Sequence, residues 1–306
     1  MTVKLWDSSA LWAAFFSIIA LAIFGQLIRK NEGYPLRLPE DVRRYAMDRE
    51  WLKHQTNCIR KDLEEIISGD LCKIAPEDKR EFRPKILAWG DSHNASIMPA
   101  LEIMSDKYNT DLLFAARSSC LPLTSEKSSR KSACDQFNKQ IFVTIDKYNI
   151  KDLLLAGRWS YPLYGDREEK DFTPYYSEAE FKQRLIVMLN KLSDRGVRIW
   201  LLKEVPYQAF DVPVRFTKLA LKGAPTSGYE LAQSEHQKRS GYIHNLFDSL
   251  QNEQIKLINP ELILCQQGIC KTELNGHSLY KDDDHLSVFG AHHISTVFEP
   301  LFESVR

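Results

Sequence analysis

The sequence predicts a three-layer α/β/α domain with a central parallel sheet of about five strands, preceded by one transmembrane helix. Three observations carry that prediction. From Lys85 onward, short apolar runs alternate with longer helix-periodic stretches, the signature of strand–helix–strand units whose sheet is covered on both faces. Between Asp7 and Arg29 there is no charged residue. All the cysteines lie after that uncharged stretch.

The uncharged stretch comes first. Ser8–Ile28 reads SSALWAAFFSIIALAIFGQLI, long enough at a rise of about 1.5 Å per residue to cross a hydrocarbon core of roughly 30 Å. Trp6 and Trp12 suit one interface, and Arg29 and Lys30 the other. A cleaved signal peptide is the competing reading. The only charges before the run are Lys4, the terminus and the offsetting Asp7, and no clean A-x-A site follows. A buried soluble helix is the third, but helices apolar on every face are uncommon there. Residues 1–30 are therefore expected to be an uncleaved single span.

Residues 31–84 are polar and charged, with helical patches at Pro39–Cys58 and Arg60–Ser68. They read as an extension packed on the main domain, 85–306. In that domain strands are expected at Lys85–Trp89, Asp111–Ala116, Asp152–Ala156, Val197–Val205 and Ile255–Ile258. Helices are expected near Ala95–Lys107, Gln136–Tyr148, Ser177–Arg195, Leu231–Gln251 and Val288–Ser304. Tyr161–Tyr176 and Pro206–Tyr229 read as long loops suited to shaping a cleft. In such sheets ligands bind at the carboxyl ends of the strands.

The chain has 306 residues and 41 basic against 41 acidic side chains. No strong field points to nucleic acid or to an anionic membrane surface, and no nucleic-acid partner is expected. The six cysteines form three sequence-local couples, Cys58/Cys72, Cys120/Cys134 and Cys265/Cys270. An even count in local couples suggests three disulfides and an oxidising compartment such as the periplasm. Six buried thiols are the alternative; zinc is disfavoured because no C-x-x-C occurs. The flanking charges weakly favour the C-terminal side inside, since Arg29 and Lys30 outweigh Lys4. The cysteines argue for the opposite orientation, and long domains translocate largely regardless of loop charge.

Trp89-Gly90-Asp91-Ser92-His93-Asn94 follows the first strand and opens a helix. Ser92 is thereby placed at the carboxyl edge of the sheet, where backbone N–H groups favour a developing negative charge. A serine hydroxyl needs a base, and the base an orienting carboxylate. Tyr280-Lys281-Asp282-Asp283-Asp284-His285 supplies both: a short loop lets Asp282 accept the Nδ1 proton of His285 while Nε2 faces Ser92. Taken singly, the first segment reads better as a capped polar turn and the second as a solvated acidic turn. A metal set of Asp282, Asp284, His285, His292 and His293 is a further alternative, disfavoured because neighbouring His292 and His293 point in different helix directions. No metal is therefore expected. The G-x-S-x-G elbow is missing, since position 94 is Asn, and Asp precedes His in the chain.

G-D-S after the first strand and D-x-x-H before the last helix resemble the SGNH (GDSL-like) hydrolase superfamily. The closer resemblance is to SGNH domains fused to membrane-bound acyltransferase family three proteins, which O-acetylate envelope polysaccharides such as lipopolysaccharide O-antigen. It runs through ILAWGDSHNASIMPAL (86–101), SSCLPL (118–123), LLLAGRWSYP (153–162), LLKEVP (201–206) and YKDDDHLSVFGA (280–291). It implies Ser92 as nucleophile, His285 as base and Asp282 as the orienting acid. It also implies oxyanion donors at the Ser92 N–H and at a backbone N–H near Ser118–Ser119. The superfamily's third donor, an asparagine in G-x-N, is replaced here by Gly157-Arg158-Trp159. Oxyanion stabilisation is then incomplete or shifts to Arg158; losing one donor typically costs about 2.7–4 kcal/mol of barrier. Slow hydrolysis suits a transferase.

The resemblance implies a periplasmic O-acetyltransferase held in the bacterial inner membrane by one helix. No cofactor is expected to bind tightly; the acetyl group would come from acetyl-CoA through a membrane acyltransferase body, in the same or a separate chain. The polysaccharide acceptor is the other partner. A carbohydrate esterase with the same triad, and a non-catalytic glycan-binding module, are the alternatives.

Overall fold

The computed structural model describes residues 8–31, 33–76, 81–123, 131–166 and 171–306. Ser8–Lys30 forms one helix, α1, whose apolar side chains are exposed. It is long and apolar enough to cross a membrane. Lys4, Trp6 and Asp7, used in the interface and orientation arguments, lie outside the described residues.

The central sheet has six strands: β1 (Cys72–Ile74), β2 (Ile86–Gly90), β3 (Leu112–Ala116), β4 (Asp152–Ala156), β5 (Arg198–Leu202) and β7 (Ile255–Ile258), in the order β1-β3-β2-β4-β5-β7. The five expected strands are there and run parallel. The sixth, β1, comes from the extension and pairs antiparallel with β3 at the sheet edge. Nothing in three residues, CKI, announces a strand; β3 supplies the template and the Cys58–Cys72 disulfide holds the segment beside it. The other couples close as Cys120–Cys134 and Cys265–Cys270. Short strands complete the set: β6 (Leu231–Ala232) with β8 (Cys265–Gln266) and β9 (Ile269–Cys270), and the hairpin β10 (Glu273–Leu274)–β11 (His277–Ser278).

Side chains alternate across a strand, and the strands here are apolar on both faces. Ile86, Ala88, Leu112, Phe114, Leu154 and Trp200 face one core. Leu87, Trp89, Leu113, Leu153, Leu155 and Leu201 face the other. The first core is closed by α2 (Glu40–Met47), α3 (Lys53–Ile59), α5 (Ser92–Ser96), α6 (Met98–Tyr108) and the C-terminal helices. The second is closed by α4 (Leu63–Ile67), α7 (Lys131–Tyr148), α9 (Glu178–Ser193) and α11 (Gln233–Leu250).

Four expectations are corrected. Ala95–Lys107 is two helices, α5 and α6, separated at Ile97, because Pro99 cannot donate inside a continuing helix. Val288–Ser304 is likewise broken into α13 (Val288–His293), a 3₁₀ turn at Ser295–Phe298 and α14 (Glu299–Glu303), with Pro300 at the start of α14. Pro206–Tyr229 is not a continuous loop. It holds α10 (Val212–Leu221), capped by Asp211, whose carboxylate accepts Val214 N–H at 3.0 Å, and anchored by buried Val212 and Phe216. In Tyr161–Tyr176 a short helix, α8 (Tyr161–Tyr164), is formed; 167–170 lie outside the described residues.

β2 pairs with β3 on one side and β4 on the other, so successive connections leave it in opposite directions and a crevice opens between the carboxyl ends of β2 and β4. Gly90 sets how closely these ends approach: a Cβ there would lie 1.8 Å from the Ala156 carbonyl oxygen and 2.7 Å from Asn94 Cβ. Both obstacles are buried and one is backbone. Gly90→Ala is expected to lose about 3 kcal/mol or more of stability, read as a lowered denaturation midpoint.

Candidate active site

Asp91 is the first residue beyond β2 and caps α5. One carboxylate oxygen accepts His93 N–H at 2.8 Å and the other reaches across the crevice to Arg158 N–H, just beyond β4, at 2.9 Å. This bridge fixes the turn that presents Ser92, the first residue of α5, half-buried at the sheet's carboxyl edge.

His285 arrives from the far end of the chain. Its loop is tied down by backbone bonds: Lys281 N–H to His285 C=O at 2.9 Å, Gln208 N–H to Asp283 C=O at 2.7 Å, and Val212 N–H to Asp282 C=O at 3.2 Å. Inside it, Asp282 Oδ1 accepts the backbone N–H of Asp284 at 3.1 Å and of His285 at 2.8 Å. His285 Nε2 then lies 2.7 Å from Ser92 Oγ, and Nδ1 lies 3.0 Å from Asp282 Oδ2. The structure thus brings the three residues into one hydrogen-bonded line.

A second carboxylate reaches the same imidazole. Asp284 Oδ1 is 2.8 Å from His285 Nδ1, while its Oδ2 is 2.6 Å from Arg158 Nε and 3.5 Å from His93 Nε2. Asp284 is 4% exposed. Burial raises its pKa, but hydrogen bonds and charge from His285 and His93 outweigh that and hold it well below the usual carboxylate range. Asp282 is held low in the same way by His285. Burial disfavours the imidazolium, yet the two carboxylates overcome it and push His285 up to about 10.

Arg158 is held on several sides. Its guanidinium pairs with Asp284 and Asp166 and lies over the rings of Tyr161 and Tyr207, 5.0 and 5.2 Å from the centroids. Its backbone N–H is committed to Asp91. Ser119 sits in an exposed turn after β3 with φ of 60°. Arg158, Asp166, Tyr207, Asp282, Asp283, Asp284 and His285 line an open cleft of about 580 Å³, a size suited to a sugar unit. Two side-chain groups here have metal-compatible spacing, His93–Asp284–His285 and Asp282–Asp283–Asp284. Neither includes His292 or His293, which lie on α13.

Three participants were not assigned to the catalytic line from the sequence. His93 packs against His285 with the rings tilted by 40° and centroids 4.6 Å apart. Its place inside the G-D-S-H-N motif was the available signal. Asp284 stood in plain view beside Asp282, but burial is what separates their roles, and a run of three aspartates does not reveal which one turns inward. Trp51, from the extension, sets its ring edge-on to His285 at 5.7 Å and donates Nε1–H to Leu286 C=O at 3.4 Å. No local pattern could have paired it with a residue so distant in the chain.

The family model for the SGNH domain (fused to AT3 domains) matches residues 57–300. Among solved structures, the periplasmic domain of the Salmonella ser. Paratyphi A lipopolysaccharide acetyltransferase aligns with a TM-score of 0.58 at 16% identity, over 85% of this chain and 99% of that one. A putative acylhydrolase from Bacteroides fragilis aligns at 0.46 and 12% identity, over 84% and 99% of the two chains. An acetyl xylan esterase aligns at 0.41 and 13%, over 72% and 99%. At such identities the likeness is one of fold. No curated protein matches the sequence.

Proposed function

We propose, for a chain that belongs to the SGNH domains of the kind fused to AT3 domains, that this domain is a periplasmic O-acetyltransferase acting on an envelope polysaccharide such as lipopolysaccharide O-antigen. The observation that carries the reading is the line Ser92 Oγ–His285 Nε2–Asp282, at 2.7 and 3.0 Å, standing at the mouth of the β2/β4 crevice.

Ser92 Oγ attacks the donor's acetyl carbonyl as its proton passes to His285 Nε2. The donor oxygen leaves with that proton, and the acetyl group remains on Ser92. A sugar hydroxyl then attacks the acyl-enzyme, gives its proton to His285 and becomes the ester, while Ser92 Oγ leaves and regains a proton. Asp282 holds the imidazole's tautomer and orientation. The Ser92 N–H and a backbone N–H near Ser119 are the proposed oxyanion donors. Arg158 is assigned to shaping the cleft, because its backbone N–H is taken by Asp91 and its guanidinium is drawn to Asp284 and Asp166. α1 anchors the domain in the inner membrane, and three disulfides suit the periplasm. The donor side is an AT3 membrane body drawing on acetyl-CoA.

Transferase and esterase share this chemistry and differ in the acceptor. With an activated acetyl ester as donor and a purified O-antigen oligosaccharide present, most of the acetyl groups released are expected on sugar hydroxyls, followed by mass spectrometry. Release as free acetate alone, undiminished by the glycan, would make the domain an esterase.

A further inference from the structure

A second cluster of ligand-type side chains lies behind the active site. His236, Ser240 and His244 follow one another at four-residue spacing and so share one face of α11. Opposite them stands Glu261, in a short helix, α12 (Glu261–Leu264), whose first N–H is held by Asn259 Oδ1 at 3.0 Å. His236, His244 and Glu261 are 1%, 7% and 8% exposed. His236 Nε2 lies 3.4 Å and His244 Nδ1 3.0 Å from the same atom, Glu261 Oε1. The other oxygen, Oε2, accepts Gln233 Nε2–H at 2.9 Å.

Two imidazoles converging on one carboxylate oxygen fit a coordination sphere. Zinc bonds to nitrogen and oxygen of about 2.0–2.1 Å, arranged tetrahedrally, place neighbouring donor atoms about 3.3 Å apart. The two measured separations lie on either side of that edge, and all three donor atoms lie within 4.8 Å of one another. Gln233 supplies the outer hydrogen bond that metal-ligating carboxylates usually carry. Beside His236 a cavity of about 10 Å³, room for one water, is lined by His236 and Ser240 on this side and by Glu204, Arg158, His93 and Asp284 on the other.

We propose that His236, His244 and Glu261 form a structural site for a divalent transition-metal ion, zinc by ligand type. The ion ties α11 to α12 and to the ribbon that follows, directly behind the residues that hold Asp284 and Arg158. The site is distinct from His93–Asp284–His285 and stands whether or not the domain transfers acetyl groups.

The test uses the untagged full chain in detergent, stripped with chelator and then loaded. Wild type is expected to retain one zinc per chain after dialysis and, with cobalt(II), to show the visible bands of a tetrahedral ion. Glu261→Gln keeps the side chain's shape and should weaken binding at least 100-fold, whereas His285→Ala should leave it unchanged. No retained zinc and no tetrahedral cobalt bands in wild type would overturn the proposal, as would loss of both in His285→Ala. Undiminished binding in Glu261→Gln would do the same. If Glu261→Gln fails to fold, the cobalt spectra of wild type and His285→Ala decide alone.

Discussion

Replacing Ser92 with alanine is expected to bring the O-acetyl content of the envelope polysaccharide down to that of cells lacking the protein. It should also abolish labelling of the domain by a serine-directed fluorophosphonate and lower acetyl transfer in solution by at least about 10³-fold. The expected loss is large because Ser92 Oγ is the hydroxyl that faces His285 Nε2, at 2.7 Å. Without it the imidazole activates only water, and no acyl group is held in place for the sugar. The fold should be spared. The cap of α5 is Asp91, not Ser92, and alanine is a good residue for the first helical position. A normal denaturation midpoint in the variant therefore separates lost chemistry from lost structure. A rise in O-acetyl content would reverse the direction of the reaction and make the domain a deacetylase. No change, with unaltered labelling, would remove Ser92 from the chemistry and favour a glycan-binding module.

Much of this arrangement was legible in the sequence because it is written in short-range patterns. Five strands were legible because each is a compact apolar run between helix-periodic segments, and apolarity on both faces is what a sheet between two helical layers requires. The three disulfides were legible as local couples, and Ser92, Asp282 and His285 as two motifs far apart in the chain that meet at one sheet edge. What escaped was what only tertiary contact decides. β1 has no pattern of its own and exists because β3 offers an open edge. α10 was hidden by the proline and glycine around it, although Asp211 three residues before Val214 was a usable cap signal. The break at Ile97 follows from Pro99, and Pro300 sets the start of α14; both could have been read as helix punctuation. Trp51 and Asp284 were out of reach for a different reason, since each acquires its place beside His285 through folding and burial.

Asp284 also yields the second large expectation. His285 is pushed up to about 10, so at pH 7 only about one molecule in 10³ carries the neutral imidazole that accepts the Ser92 proton. Acetylation of Ser92 by an activated ester should therefore rise about tenfold per pH unit from pH 7 and level off near 10. Both carboxylates contribute to that elevation, but they hold His285 differently. Asp282 also bonds the backbone N–H of His285 and Asp284, so it fixes the loop as well as the ring. Asp284 adds its charge at 2.8 Å from Nδ1 while pairing with Arg158 and His93. Asp284→Asn is thus expected to move the rising limb down by at least one unit, making acylation at pH 7 about tenfold faster than in wild type. Asp282→Asn should slow acylation at every pH, because the amide no longer selects the productive tautomer. The stability dependence runs the same way. A histidine raised in the folded state contributes stability that is fully present below its ordinary value of about 6.5 and is lost as pH climbs through about 10. Wild type should therefore lose more denaturation midpoint between pH 7 and 10.5 than Asp284→Asn does. Were Asp284→Asn instead to lose acylation at all pH values while Asp282→Asn kept it, the orienting acid would be Asp284. The aspartate nearest in spacing to the family pattern would then be the one that only shapes the loop.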